Sequence, residues 1–183
     1  MRIISGKYKS KKLAALKSND TRPTTDKVRE NIFNILGDVE GGVLDLFAGS
    51  GGLGIEALSR GASHAMFIDG AKDAIAIIRE NTEGLDEPVE IFRNDYRRAL
   101  KAMAKRKKRF SLIFLDPPYH KGMAGEALKM IEDLDILEEG GRIVVETHKD
   151  EKYPIHSHES IRDVAYGTIR INVLTKGGGE YNG

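Results

Sequence analysis

Apolar residues follow two different rhythms along the central part of the chain. Short apolar runs alternate with longer segments in which apolar residues recur every three or four positions. The short runs predict buried strands, and the longer segments predict helices. Five strands are predicted, with the sequences GVLDLF, AMFID, VEIFRND, FSLIFLD and GRIVVET. Strands that alternate with helices are typical of a mostly parallel sheet with helices on both faces.

A further helix is predicted before the first strand. The sequence TRPTT is a helix-start signal, apolar residues then recur at helical spacing from Val28 to Leu36, and Gly37 ends the pattern. The chain before it, residues 2–20, predicts short strands joined by turns. Here RIISG and the stretch around Leu13–Leu16 are expected to form a basic hairpin.

The last part of the chain predicts a different arrangement. IRDVAYG and TIRINVL predict a closing antiparallel pair, and GGGEYNG predicts a mobile segment. We therefore predict the α/β fold class, with a doubly wound, mostly parallel seven-stranded sheet and a closing antiparallel hairpin. The predicted organisation is a basic N-terminal extension over residues 1–24, one domain over residues 25–176 and a mobile tail over residues 177–183.

Composition and charge indicate what kind of partner the protein binds and where in the cell it is expected. The chain has 183 residues and a formal net charge of +1, but residues 1–30 contain nine Lys/Arg against three acidic residues. A basic lobe on a near-neutral body favours a polyanionic partner. The lack of cysteine excludes disulfides, thiolate metal ligands and a cysteine nucleophile. Because the sequence has neither a secretory signal nor an apolar run near the roughly 20 residues that span a bilayer, we expect a cytoplasmic protein without membrane contact.

Acidic residues close four successive predicted strands. They are Asp45, Asp69, Asp95 and Asp116. In doubly wound sheets, ligands bind at the carboxyl ends of the strands, where the strand order reverses. We therefore expect these four residues to mark the ligand site.

A glycine-rich turn follows the first predicted strand. Gly49, Gly51 and Gly54 match G-x-G-x-x-G between a strand and a helix, a pattern that allows positive φ angles and close approach of a ligand to the backbone. Asp69 comes 20 positions after Gly49 and can accept hydrogen bonds from both hydroxyls of a ribose. It can also cap the helix that starts near Ala71. The sequence leaves both roles open, and the preceding glycine turn favours the ribose.

Two of the acidic residues separate the cofactors that such a turn can bind. Asp45 lies just before the turn, where it would repel a pyrophosphate and attract the ammonium group of a methionine moiety. Asp95 adds an acceptor for an adenine amino group. S-adenosylmethionine is therefore favoured over a nicotinamide dinucleotide. The candidate cofactor-binding residues are Asp45, Phe47, Ala48, Gly49, Ser50, Gly51, Gly54, Asp69, Asn94 and Asp95.

The sequence after the fourth predicted strand carries the candidate chemistry. Asp116, Pro117, Pro118 and Tyr119 combine a carboxylate and carbonyl acceptors with an aromatic ring. Acceptors that bind the protons of an exocyclic amine favour a pyramidal nitrogen, whose lone pair can attack a methyl group. The ring can stack on a flipped base. These four residues are the predicted catalytic residues.

Asp116 also bears on the identity of the base. Guanine presents two adjacent donors, N1–H and N2–H2, to the two acceptors of a carboxylate, whereas adenine presents a donor beside an acceptor. Guanine N2 is therefore favoured. Three alternatives stay open: a DNA adenine-N6 methyltransferase, a nicotinamide oxidoreductase and a non-enzymatic RNA-binding assembly factor.

Several of these segments resemble a known enzyme family. FAGSGGLGIEALSRGA, the acidic strand ends and DPPY resemble class I nucleic-acid amino-methyltransferases. RIISGKYKSKKL followed by TRPTTDKVRENIFNIL is similar to the opening of bacterial 16S ribosomal RNA guanine-N2 methyltransferases of the RsmD type. The resemblance implies a Rossmann-like sheet that binds S-adenosylmethionine, with Asp69 on its ribose and Asp95 on its adenine. It also implies methyl transfer to one guanine of 16S rRNA within an assembling small ribosomal subunit.

Basic residues near the N-terminus are the first candidates for binding RNA through its phosphates. They are Arg2, Lys7, Lys9, Lys11, Lys12 and Arg22. The second candidate is a predicted basic helix over residues 97–109, with Arg97, Lys101, Lys105 and Lys108 on one face.

The histidines do not suggest a metal centre. His156 and His158 are close in sequence but lack a third ligand nearby, so no metal is expected. We expect a monomer.

Overall fold

The computed structural model describes residues 1–16 and 25–177. Within these ranges the chain forms five helices and seven strands, in the order that the sequence predicts. The helices are α1 (Asp26–Leu36), α2 (Gly52–Ser59), α3 (Lys72–Thr82), α4 (Tyr96–Lys105) and α5 (Met123–Asp133). The strands are β1 (Gly42–Asp45), β2 (His64–Asp69), β3 (Val89–Arg93), β4 (Phe110–Leu115), β5 (Leu137–His148), β6 (Glu159–Tyr166) and β7 (Ile169–Thr175).

The strands form one sheet in the order β3-β2-β1-β4-β5-β7-β6. Strands β1 to β5 pair in parallel, and β7 pairs antiparallel with both β5 and β6. The chain moves outward from β1 to β3 and then returns to the other side of β1 with β4. The strand order therefore reverses between β1 and β4, which opens a crevice at their carboxyl ends. The predicted doubly wound, mostly parallel sheet with a closing antiparallel pair is confirmed.

Two apolar layers bury the faces of the sheet. Neighbouring residues of β1 point to opposite faces. Val43 belongs to the apolar layer that includes residues of α1, α2 and α3, whereas Leu44 belongs to the layer that includes residues of α4 and α5. All four residues of β1 are buried because helices cover both faces at the centre of the sheet. This double covering explains why the central strands are continuous apolar runs, and it holds their carboxyl ends rigidly at the crevice.

The signals that bound α1 act as the sequence predicts. Thr25 caps the helix, since its hydroxyl accepts a hydrogen bond from the backbone amide of Val28 at 3.2 Å. Gly37 ends the helix with a positive φ of 67°. Pro23 and Thr24, which belong to the same predicted start signal, lie outside the described residues.

The predicted basic helix ends earlier than expected. Helix α4 stops at Lys105 rather than at Arg109, because the chain turns back there to enter the buried strand β4. Lys108 therefore lies outside the helix and does not share a face with Arg97. Its ammonium group pairs with Glu90 on β3. The prediction of one continuous basic face is wrong.

The predicted N-terminal hairpin is present in a reduced form. Within residues 1–16 the chain folds back on itself, and the two arms are joined by one bridge pair, Arg2 with Lys12, and by a few backbone hydrogen bonds rather than by regular strands. The turn between them also bonds to α2. The backbone amides of Lys7 and Tyr8 donate to the carbonyl and the hydroxyl of Ser59, at 2.8 and 2.9 Å. The segment is thus fastened to the helix that follows the glycine turn.

Two further predictions concern the membrane and the tail. No helix in residues 1–16 and 25–177 is long and apolar enough to cross a membrane. Residues 178–183, which make up most of the predicted tail, lie outside the described residues.

Candidate cofactor and substrate site

A cavity of about 400 Å³ opens at the carboxyl ends of the central strands, where the strand order reverses. Residues that are far apart in the sequence meet around it. Most of the residues predicted to bind a cofactor or to act in catalysis belong to its lining. They are Asp45, Phe47, Ala48, Gly49, Ser50, Asp69, Asn94, Asp95, Asp116, Pro117 and Pro118.

The glycine turn connects β1 to α2 and forms one wall of the cavity. Gly49 and Gly51 have φ angles of 57° and 85°, which L side chains rarely adopt. Gly54 meets a packing requirement, because a methyl group there would lie 2.4 Å from the ring of Phe67. The structure puts Gly51 and Gly54 behind the cavity wall. They shape the turn rather than line the cavity.

Asp69 at the end of β2 holds the glycine turn in place. Its Oδ2 accepts a hydrogen bond from the amide of Gly49 and its Oδ1 accepts one from the amide of Ala71, both at 2.9 Å. Ala71 is the N-cap residue of α3, and no side chain caps this helix, so Asp69 does not take the capping role that the sequence left open. The side chain also lines the cavity, and the contact with a ribose stays a prediction.

Asp95 follows β3 and caps α4. Its Oδ1 accepts hydrogen bonds from the amides of Arg97 and Arg98, at 2.9 and 3.4 Å. The side-chain oxygen of Asn94 in turn accepts a hydrogen bond from the amide of Asp95. This cap is absent from the predictions made from the sequence, although an acidic residue just before a helix is its usual signal. The contact of Asp95 with an adenine stays a prediction.

Asp45 is the most deeply buried of the four acidic residues, with 2% of its surface exposed. Its Oδ2 accepts a hydrogen bond from the amide of Gly54 at 3.0 Å. Burial raises the pKa of Asp45 to about 7; the Gly54 amide opposes this shift and the Asp69 carboxylate adds to it. A cation that enters the cavity beside Asp45 would be attracted by the ionised carboxylate.

Three of the four predicted catalytic residues line the same cavity as the glycine turn. Asp116, Pro117 and Pro118 follow β4 directly. Tyr119 lies outside the lining, and its ring meets the ring of His148 edge-on, with 5.8 Å between the ring centroids. Asp116 and the two prolines therefore belong to the cavity wall, whereas the ring of Tyr119 does not.

The chain that follows Tyr119 is anchored to the segment after β5. The backbone amide of His120 donates to the carboxylate of Glu151 at 2.6 Å, and Glu151 is buried. His120 has a positive φ of 59° at this point. The contact, which the sequence did not reveal, fixes the direction in which the chain leaves the acceptors of the site.

The cavity wall also contains a charged residue that is not among the predicted site residues. Arg29 of α1 is fully buried and lines the cavity. Its Nε donates to Glu56 at 3.2 Å and its Nη2 donates to Asp26 at 2.9 Å, whereas Nη1 has no hydrogen-bond partner among the described residues. The signal in the sequence is a cation on the apolar stripe of α1, three residues before Ile32 and four before Phe33.

Comparisons with known proteins show the family to which the chain belongs. A family model described as Conserved hypothetical protein 95 matches residues 1–175. The chain belongs to this family. A relative from Bacillus subtilis, named "Putative rRNA methyltransferase YlbH", is 44% identical over 184 residues, which cover 97% of this chain and 100% of the relative.

A second relative and a solved structure are also similar to this family member. Ribosomal RNA small subunit methyltransferase D of Haemophilus influenzae is 36% identical, over 82% of this chain and 80% of that protein. The solved structure of yhhF from Escherichia coli has a TM-score of 0.82 and 30% identity, over 97% of this chain and 98% of that chain. The family resemblance and the fold that it implies are confirmed.

The basic N-terminal residues of this family member differ in their availability for RNA. The ammonium group of Lys7 lies 2.8 Å from Asp86 and 3.1 Å from Glu87. The hydrogen bond to Asp86 raises the pKa of Lys7 above its usual value, and the hydrogen bond to Glu87 raises it further. Arg22 lies outside the described residues. The candidates that are at least partly exposed and form no salt bridge with another described residue are Arg2, Lys9, Lys11 and Lys12.

The second candidate RNA surface is partly neutralised. Arg97 binds Glu126 of α5 through two nitrogens, and Arg109 binds Asp135 at 2.8 Å. These pairs add to the one that Lys108 forms with β3. The cations that stay exposed on α4 are Arg98, Lys101 and Lys105.

His156 and His158 contact backbone carbonyls of α5. Their Nε2 atoms lie 2.9 Å from the oxygen of Gly125 and 3.1 Å from that of Leu128. Among the residues that the structure describes, no group of three or more His, Cys, Asp or Glu side chains is arranged to hold a metal ion. Both rings therefore fasten the loop before β6 to α5.

Proposed function

We propose that this chain transfers a methyl group from S-adenosylmethionine to the exocyclic N2 of a guanine in 16S rRNA of the small ribosomal subunit. The observation that carries the proposal is that the glycine turn and the acceptors of Asp116 and Pro117 line one cavity. A methyl donor and the amine that it modifies must be held together, which a shared cavity allows. Relatives named as ribosomal RNA methyltransferases match most of the chain, which supports the same class of reaction.

The residues of the cavity fit the parts of S-adenosylmethionine. Asp69 suits the ribose hydroxyls, Asp95 suits the adenine amino group and Asp45 suits the ammonium group. A nicotinamide dinucleotide fits less well, because the buried carboxylate of Asp45 lies beside the turn that would hold its pyrophosphate. When bound here, S-adenosylmethionine supplies an electrophilic methyl group, and the protein supplies the positioning.

The target amine is held by the residues that follow β4. The carboxylate of Asp116 and the carbonyl oxygens of the two prolines accept hydrogen bonds from the amine protons, which favours a pyramidal nitrogen. The proton that the nitrogen loses departs along one of these hydrogen bonds. Because the prolines and the anchor between His120 and Glu151 restrict the chain, the acceptors are in place before the amine arrives. Tyr119 stacks on the base at the edge of the cavity.

One observation supports guanine as the target base, and another supports the small ribosomal subunit as the substrate. The two carboxylate oxygens of Asp116 match the adjacent N1–H and N2–H2 donors of guanine. Relatives from Haemophilus influenzae and Escherichia coli carry the name Ribosomal RNA small subunit methyltransferase D, which supports the substrate. We propose that the protein acts as a cytoplasmic monomer on an assembling subunit. Arg2, Lys9 and Lys12 contribute phosphate contacts.

Transfer of labelled methyl groups tests the proposal. Small ribosomal subunits from cells that lack this protein are incubated with the purified protein and labelled S-adenosylmethionine, and the RNA nucleosides are then separated. We expect N2-methylguanosine at one site, and a parallel reaction on naked 16S rRNA reports whether an assembled particle is needed.

Each alternative has its own outcome in this experiment. N6-methyladenosine would overturn the base assignment, and transfer to DNA but not to rRNA would favour a DNA adenine methyltransferase. Binding of NAD in place of S-adenosylmethionine would favour an oxidoreductase. No transfer despite cofactor binding would favour a non-enzymatic assembly factor.

A further inference from the structure

Arg29 is a buried cation whose hydrogen bonds leave part of its guanidinium group unused among the described residues. Its Nε donates to Glu56, and its Nη2 donates to the carboxylate of Asp26 and to the backbone oxygen of Arg2. These bonds fix the plane of the group. The remaining nitrogen, Nη1, is buried and has no hydrogen-bond partner in residues 1–16 and 25–177.

Nη1 lies at the glycine turn. A methyl group at Gly52, the first residue of α2, would lie 3.4 Å from this atom, and both residues line the cavity. The first turn of a helix presents backbone amides that lack helical acceptors, and it carries a partial positive charge. Nη1 and the start of α2 therefore form a positive corner of the cavity, next to the buried carboxylate of Asp45.

The neighbouring carboxylates do not fully offset the charge of Arg29. Glu56 is shared, because its Oε2 also accepts a hydrogen bond from Arg60 at 2.8 Å and its two oxygens accept two backbone amides of the N-terminal segment. Asp26 is largely exposed, so water screens its charge. A buried donor without a partner is unfavourable, and an anionic group of a ligand would satisfy both its hydrogen bond and its charge.

We infer that Nη1 of Arg29 binds the carboxylate at the amino-acid end of the cofactor. The inference rests on the proposed function, in which that cofactor is S-adenosylmethionine, and names the residue that recognises one of its groups. Asp45 attracts the ammonium group of the same amino-acid end. The cavity thus presents one cation and one anion to a zwitterion, and it selects against adenosyl thioethers that lack the carboxylate.

A comparison of two ligands tests the inference on the unmodified protein. The affinity of S-adenosylhomocysteine is measured by calorimetry and compared with that of its decarboxylated analogue, which keeps the ammonium group. We expect the analogue to bind about tenfold to a hundredfold more weakly, because it loses a hydrogen bond between charged groups. Equal affinities would overturn the inference and leave the proposed function standing. If S-adenosylhomocysteine does not bind, the proposed function fails, and the inference fails with it.

A pair of matched variants assigns the preference to Arg29. In Arg29→Gln, S-adenosylhomocysteine should lose roughly the same factor in affinity, while the analogue changes little, so that the two ligands bind almost equally. Arg60→Gln removes the other guanidinium on Glu56, outside the cavity lining, and should keep the full preference. Thermal unfolding of both ligand-free variants checks that they fold. A full preference in Arg29→Gln would contradict the assignment. If this variant does not fold, the comparison on the unmodified protein decides.

Discussion

Gly54 on α2 and Phe67 on β2 pack together with no room for a side chain between them. A methyl group at Gly54 would lie 2.4 Å from one ring carbon and 2.8 Å from the next. The ring is fully buried between sheet and helix, so it has little space in which to move. Because the amide of Gly54 also donates to Asp45, this contact sets the position of a carboxylate in the cofactor cavity.

Gly54→Ala should therefore destabilise the protein. We expect a loss of about 1–3 kcal/mol in the free energy of unfolding, as is usual when a methyl group is forced into a packed interior. Urea denaturation measures this change. Gly70→Ala serves as the control, since a methyl group there would lie 3.9 Å from its nearest neighbour. Equal stability of Gly54→Ala and the unmodified protein would contradict the packing argument.

Asp116→Ala should abolish methyl transfer while it spares cofactor binding. The variant loses the carboxylate that holds the amine, so we expect kcat to fall at least about a hundredfold. The affinity for S-adenosylhomocysteine should stay within about twofold, because the change does not touch the glycine turn. Asp116→Asn keeps one acceptor, so its kcat should lie between that of the unmodified protein and that of Asp116→Ala. Normal turnover in Asp116→Ala would show that the chemistry has been assigned to the wrong residues.

The binding of S-adenosylhomocysteine should depend on pH through Asp45. The pKa of this carboxyl is about 7 without ligand, and the ammonium group of the ligand binds its ionised form and lowers that pKa. As the pH increases towards 7, the affinity should therefore rise by up to about tenfold per pH unit, and above pH 7 it should be constant. Calorimetric titrations across this range measure the slope. The affinity of Asp45→Asn should be lower and nearly independent of pH, and an unchanged slope in this variant would rule out Asp45 as the titrating group.

The raised pKa of Asp45 also predicts a pH-dependent stability of the ligand-free protein. The folded state holds the proton up to about pH 7, whereas the unfolded chain releases it near 3.8. The stabilising contribution of the protonated form is thus complete at low pH and is lost as the pH rises through 7. Asp45→Asn, whose amide oxygen can still accept from Gly54, should be more stable than the unmodified protein at pH 8, by about 1–3 kcal/mol. Chemical denaturation at pH 8 and pH 5 checks this, and a difference that does not shrink at pH 5 would contradict it.

Lysines of the N-terminal segment should differ in their contribution to RNA binding. Lys9 and Lys12 are exposed, so replacement of both by Ala should weaken RNA binding and reduce its salt dependence by about one unit of slope per lost phosphate contact. Lys7→Ala should have a smaller effect, because the ammonium group of Lys7 already binds Asp86 and Glu87. Filter binding of small-subunit RNA at several salt concentrations measures the slopes. An unchanged salt dependence in the double variant would show that this segment does not contact the RNA.

The sequence predicts the order of the elements and the place of the site because both depend on local patterns. The apolar run before Asp116 is a strand that helices cover on both faces, and such strands have a clear signature. Once the strands are parallel, their carboxyl ends must lie at one edge of the sheet. Asp45, Asp69 and Asp116 therefore converge although no local signal links them.

The parts that the sequence did not predict depend on contacts between distant segments. Arg29 and Glu56 form a buried ion pair across 27 positions. Both lie in segments that carry the family resemblance, but nothing in either segment indicates that the two side chains meet. Basic composition continues past the end of α4, so the turn before β4 has no signal strong enough to oppose it. The positive φ of 56° at Lys107 and the pairing of Lys108 with Glu90 show that the chain has already left the helix.

Glu56 gives the basic N-terminal segment a consequence for protein engineering. Its carboxylate accepts hydrogen bonds from the amides of Ile4 and Ser5 and from the side chains of Arg29 and Arg60. The segment is bound through its backbone path rather than through particular side chains. A chimera that swaps residues 1–16 between family members must therefore keep the path of Ile4 and Ser5 over α2, because a shifted backbone would leave the buried carboxylate of Glu56 with fewer donors and disturb the wall of the cofactor cavity.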